Sequence, residues 1–137
     1  LKKRLNVIDT LLLEQDVKNV TTLHGRAEDF AKKPEYREQY DFAVSRAVAN
    51  LSSLTEYCLP YVKVGGKFIP YKSGNSDEEI AQAKKAIFVL GGKQKKTVDF
   101  MLPESDFSRT LVVIEKTAAT PKKYPRKAGL PTKEPIS

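Results

Sequence analysis

The residues best able to do chemistry in this chain are cations. Arg46 follows directly on the apolar run Tyr40-Asp41-Phe42-Ala43-Val44-Ser45, where an arginine has few structural reasons to sit. Lys3, Arg26, Lys72 and Arg109 stand at other expected element boundaries. The densest group closes the chain: Thr120–Ser137 reads TPKKYPRKAGLPTKEPIS, with four prolines, one glycine, five basic residues and one acid. Prolines at this density remove donors and fix φ, so neither a packed helix nor an inner strand is expected there. An extended basic segment whose one aromatic lies between prolines and cations suits a polyanion. Lys122, Lys123, Arg126 and Lys127 would meet phosphates, and Tyr124 could stack on a base. Residues 116–137 hold six basic residues and one acid, so +5 of the net charge of +7 lies at one end. A solvated, solubilising tail is the competing reading.

Composition narrows the chemistry. The 137 residues fit one domain or part of one, and 40% hydrophobic with 30% charged content suits a globular chain. With one cysteine, Cys58, and one histidine, His24, neither an intrachain disulfide nor a zinc site is expected. The lone thiol suits a reducing compartment, so a cytoplasmic location is expected. No apolar run approaches the roughly 20 residues of a membrane span. Cys58 reads as a small buried hydrophobe, and Tyr36, Tyr40, Tyr57, Tyr61 and Tyr71 as half-buried packing residues.

These residues need elements to position them. Apolar spacing predicts a helix over 1–13, and Asn19–His24 reads as a short strand ended by Gly25. A weak helical turn covers 26–33. Strands follow at 40–45 and 64–71, with a helix between them capped by Asn50 or Ser52. Asn75 or Ser76 caps a helix running to Leu90, with Asp77, Glu78 and Glu79 in its first turn, where acids suit the dipole. Strands 97–102 and 109–116 are too close for a helix between them and must pair antiparallel. Strands alternating with helices imply a mostly parallel sheet with both faces covered. The final hairpin is the ending of the Rossmann-like class I methyltransferase architecture, an analogy of fold alone. None of the seven glycines forms the G-x-G-x-x-G turn that would open such a sheet.

Several runs resemble one family. Leu1-Lys2-Lys3-Arg4, His24-Gly25-Arg26-Ala27-Glu28-Asp29-Phe30, Tyr40-Asp41-Phe42-Ala43-Val44-Ser45-Arg46-Ala47-Val48-Ala49 and Lys122-Lys123-Tyr124-Pro125-Arg126-Lys127-Ala128-Gly129 are similar to the glucose-inhibited division protein B family, also called the ribosomal RNA small subunit methyltransferase G family. The resemblance covers essentially the whole chain, and the R-A-E-D-F and S-R-A-V-A runs are specific as a pair. It implies methylation of N7 of a guanine in bacterial 16S ribosomal RNA with S-adenosylmethionine as donor. The partner would be that RNA or a small-subunit precursor, and the protein a monomer without metal.

The resemblance also implies roles. Ala27 and Glu28 would hold the adenine end of the donor, and Arg46 would lie in the donor site or catalytic cleft. Lys3, Arg26, Lys72 and Arg109 would line an RNA-facing or donor-facing surface. His24 invites the part of a general base. Guanine N7 carries a lone pair and no proton, however, so methyl transfer there needs no base, and His24 reads as a strand-end residue. The family's glycine-rich donor loop and the acid that holds the donor ribose would precede Leu1. Residues 1–118 are thus expected to be the C-terminal part of the methyltransferase domain, inactive alone, and 119–137 a basic tail. The alternative is a non-catalytic RNA- or ribosome-binding module on the same sheet.

Overall fold

The computed structural model describes residues 2–46, 49–74 and 76–137. Ala47 and Val48 of the S-R-A-V-A run, and Asn75 as a helix cap, lie outside the described residues. The chain begins with helix α1, Lys2–Glu14, then irregular backbone leading to the short α2, Ala27–Phe30. Strand β1, Tyr40–Arg46, leads to α3, Leu51–Cys58, and through a single 3-10 turn to the long β2, Val62–Ser73. Helices α4, Asp77–Gln82, and α5, Lys84–Val89, precede the hairpin of β3, Gly92–Met101, and β4, Ser108–Lys116. A last turn, α6, covers Leu130–Lys133.

The sheet order is β1-β2-β4-β3. The α3 crossover makes β1 and β2 parallel, with Val44 opposite Ile69 and Arg46 opposite Tyr71. β4 returns antiparallel to β2 and to β3. The α/β class and the closing hairpin agree with the sequence reading. The sheet is mixed rather than mostly parallel, because 19–24 is not a strand here. Its side chains have strand-like types, but no described strand pairs with it, and a strand exists only through its ladder. The face of β1 that carries Phe42 and Val44 is uncovered, the two side chains being 62% and 75% exposed.

Period-two burial fixes the core face. On β2, Val62, Gly66, Phe68, Pro70 and Lys72 are buried in phase; on β4, Thr110, Val112, Ile114 and Lys116 are. The apolar members pack under Leu51, Leu54 and Leu59, and under Ile80, Ala83, Ala86, Ile87 and Leu90. Phe68, fully buried, contributes about 1.5–3 kcal/mol by its area alone. The same parity drives two lysines inward, and each must find partners. Lys116 Nζ donates to the carbonyls of Leu59 and Val62 at 3.0 and 2.8 Å and pairs with Glu38 at 3.1 Å. Burial lowers its pKa, an effect the Glu38 hydrogen bond opposes.

Local chemistry explains the other boundaries. Asn50 caps α3, its side-chain oxygen accepting from Ser53 N at 2.9 Å. The single helix expected over 76–90 is two, with a break at Ala83. Gly91 then turns the chain at φ +92; a Cβ there would lie 2.2 Å from the Ala118 carbonyl oxygen, so only glycine fits.

The terminal segment departs most from expectation. It is docked, not extended into solvent. The Arg37 guanidinium donates to the carbonyls of Ala31, Thr120, Pro121 and Tyr124 at 2.8–3.2 Å. Thr120 Oγ1 donates to Leu90 O at 2.7 Å, and Ser53 Oγ to Pro131 O at 2.7 Å. Arg126 Nε bonds both oxygens of the buried Glu56 carboxylate, at 2.9 and 3.2 Å. The prolines do exclude an inner strand, but they do not prevent packing when distant side chains satisfy the carbonyls.

Candidate functional site: two clefts

Both parallel strands end on one side of the sheet, where ligands bind in open α/β folds. There Arg46 closes β1, Tyr71, Lys72 and Ser73 close β2, and Arg109 enters on antiparallel β4. With Ala49 and Asn50 before α3, and Glu79 from α4, they line a cleft of about 710 Å³. The antiparallel return is what brings Arg109 beside cleft residues that precede it by 30 positions or more. Three of the cations singled out in the sequence therefore converge.

They are not equivalent. Arg46 is exposed and Arg109 half-buried, the latter donating to Ser108 O at 2.7 Å and resting over the Phe107 ring. Lys72 is 5% exposed; its ammonium pairs with Glu79 at 2.7 Å and donates to Ala49 O at 3.1 Å. That internal commitment corrects the expectation of Lys72 as an RNA-facing cation: Arg46 and Arg109 are the ones open to a phosphate. Glu79 was legible in sequence only as a helix-dipole acid, and Asn50 only as a cap.

The second cleft, about 870 Å³, is lined by Arg4 and Leu5 of α1, by Leu23 through Glu28, and by Tyr57. Ala27, Glu28 and Arg26 thus lie together, with His24 beside them. They share no lining residue with Arg46. Along α3, Asn50 and Tyr57 are separated by seven residues, about 10 Å of helical rise. Glu28 is 2% exposed, and its carboxylate accepts from Gly129 N at 3.5 Å. Tyr61 donates to Ala27 O at 2.6 Å, and burial pushes its hydroxyl up to about 12, so it remains a donor. The cleft thus sets a buried carboxylate next to Leu5, Leu23 and the Tyr57 ring.

The remaining predicted residues are dispersed. Lys3 stands on the exposed α1, in neither cleft. Lys122, Lys123 and Lys127 are exposed on the docked segment. Tyr124 is half-buried against the core with Lys123 over its ring at 5.3 Å. Arg126 is spent on Glu56 and on Glu134 O, which corrects its reading as a phosphate partner. Among the described residues no cluster of His, Cys, Asp and Glu could hold a metal, and no helix is long and apolar enough to cross a membrane.

A family model described as rRNA small subunit methyltransferase G matches residues 1–111. The chain belongs to the rRNA small subunit methyltransferase G family. Curated relatives named ribosomal RNA small subunit methyltransferase G share 54% identity in Clostridium novyi and 53% in Clostridium tetani, each over 99% of this chain. A relative of that name from Acetivibrio thermocellus shares 50% over all of it. The similarity to this family therefore extends through the docked segment. The chain spans 56–57% of the length of these relatives. A solved rRNA methylase from Streptococcus thermophilus superposes with a TM-score of 0.60 at 15% identity, covering 86% of this chain and 70% of that one, a likeness of fold.

Proposed function

We propose that this chain is the carboxyl-terminal part of an S-adenosylmethionine-dependent enzyme that methylates N7 of a guanine in 16S ribosomal RNA. The observation that carries this reading is membership of the rRNA small subunit methyltransferase G family, sustained at about half identity across the chain. S-adenosylmethionine, when bound, would supply an electrophilic methyl group on a sulfonium. Ala27, Glu28 and Tyr57 would hold the adenosine end. Arg46 would stand at the carboxyl edge of the sheet, in the cleft that receives the RNA, and Arg109 would take a phosphate there. Arg26, Lys3, Lys122, Lys123 and Lys127 would extend the cationic surface, and Tyr124, half-buried, would offer a ring edge beside it.

The chemistry asked of these groups is placement. N7 has no proton to remove, so alignment of nucleophile and methyl group carries the rate, and orientation of that kind can supply roughly 7–11 kcal/mol. A protein of the relatives' full length carrying this sequence should transfer labelled methyl to small-subunit RNA, and Arg46→Ala should cut the rate strongly while leaving the circular dichroism unchanged. A near-normal rate would remove Arg46 from the cleft's work.

A further inference from the structure

The cleft at the carboxyl edge contains one residue that a phosphate-binding surface has no use for. Glu79 is the only carboxylate among its lining residues, facing a space otherwise rich in donors. Arg46 and Arg109 supply donors, and so does the side-chain amide of Asn50, whose oxygen accepts from Ser53 N. Glu79 neutralises Lys72 through Oε1, but it is not thereby used up. Its side chain is 28% exposed, and a carboxylate has about four lone-pair sites, of which the ammonium takes one.

A carboxylate in a cleft for nucleic acid is repelled by phosphate and needs donors on its ligand. The Watson–Crick edge of guanine offers two side by side, N1–H and the 2-amino group. The same edge of adenine presents a lone pair at N1, which a carboxylate repels, so one acid both favours guanine and rejects adenine. Donors that could reach O6 or a phosphate are the neighbouring Asn50 amide and the two arginines. The Lys72 ammonium, held by Ala49 O and sunk to 5% exposure, fixes the carboxylate in place without itself projecting into the space.

We propose that Glu79 reads the base in this cleft, accepting hydrogen bonds from N1–H and the 2-amino group of a guanine. This rests on the reading of the chain as part of a guanine-modifying rRNA enzyme, and it adds the group that selects the base. Lys72 is a positioning residue that acts through Glu79.

The test is binding by this chain of three mononucleotides, guanosine, inosine and adenosine monophosphate, followed by calorimetry or by amide chemical shifts. Inosine lacks only the 2-amino group. The unaltered chain should bind guanosine monophosphate about tenfold tighter than inosine monophosphate, and adenosine monophosphate more weakly still. Glu79→Gln, which keeps the side chain's shape and an acceptor for Lys72, should bring the guanosine and inosine affinities together. Should that variant unfold around an unneutralised ammonium, the pair Lys72→Met with Glu79→Gln removes the buried charge as well and should show the same loss of preference. Equal binding of all three nucleotides by the unaltered chain, or a guanosine preference that survives both variants, would overturn the inference and leave Glu79 only an ion-pair partner. Guanosine preference in a full-length protein that transfers no methyl to RNA would instead sink the enzymatic reading and spare the base-reading site.

Discussion

Arg126→Ala should destabilise the chain and free its end together. Glu56 sits in the last turn of α3 with its side chain 1% exposed, and Arg126 supplies its charge partner through two hydrogen bonds at 2.9 and 3.2 Å. The arginine also donates to Glu134 O at 2.7 Å, so it ties α3 to the 126–134 stretch of the docked segment. Truncating it strands a buried carboxylate. Breaking a buried pair from one side costs about 3–5 kcal/mol. Because the Arg126 side chain is 25% exposed, water can reach part of the site, and the lower end, about 3 kcal/mol, applies. Against a total of about 5–15 kcal/mol for a domain this is a large fraction. It corresponds to a fall of roughly 10 °C in Tm for a chain of this size. The assay pairs thermal melting with limited trypsin digestion. Lys127 and Lys133 should resist cleavage in the unaltered chain and become sensitive in the variant. Cleavage between 120 and 124 should change less, since Arg37 and Thr120 still hold that stretch. Replacing both partners, Glu56→Leu with Arg126→Leu, should recover most of the loss. A Tm within about 2 °C of the unaltered protein, with the end still protected, would refute the reasoning and return the segment to the status of a loose basic arm.

Cys58, Lys116 and the two cleft arginines each give a further test. Burial pushes the Cys58 thiol up to about 12, so at pH 9 a thiol reagent should label the folded chain at least about a hundredfold more slowly than the urea-unfolded one. Because this pKa is raised on folding, the stability it confers is complete below about 9 and is lost as pH rises towards 12. Lys116→Met removes the Nζ donor shared by Glu38 and the carbonyls of Leu59 and Val62 and should cost about 3 kcal/mol in urea unfolding. Since the Lys116 pKa is lowered, the native state gives up that proton first, and the gap between unaltered chain and variant should widen as pH climbs towards 10.5. Arg46→Ala and Arg109→Ala should each flatten the log–log salt dependence of RNA binding by about 0.7–0.9; unchanged slopes in both would place the phosphates elsewhere.

What the sequence disclosed follows the range of the interactions involved. Strands at 40–45, 64–71 and 109–116 carry their own alternation, and Asn50 caps α3 through a bond three residues long. Residues 19–24 have the types of a strand but depend on a neighbour for the ladder, so type alone misleads there. The docked segment was illegible for the opposite reason. Its anchors, Arg37, Ser53 and Glu56, lie 70 or more residues away, and composition records only its prolines and charge. In the cleft, Arg46, Lys72 and Arg109 each stood out at a strand end. Their convergence required the antiparallel return of β4, and the inward phase of Lys72 turned a surface cation into the fixture for Glu79. Glu79 itself was hidden among three successive acids, any of which could serve the helix end.

The central claim is that these residues belong to an enzyme that methylates N7 of a guanine in small-subunit ribosomal RNA. The most direct measurement incubates a protein of the relatives' full length, carrying this sequence, with S-adenosylmethionine and unmodified small-subunit RNA, then digests the RNA and identifies the modified nucleosides by mass spectrometry. The account predicts 7-methylguanosine at one position, strongly reduced by Arg46→Ala. RNA that is bound but carries no methyl group, or a methyl on another atom or base, would contradict it.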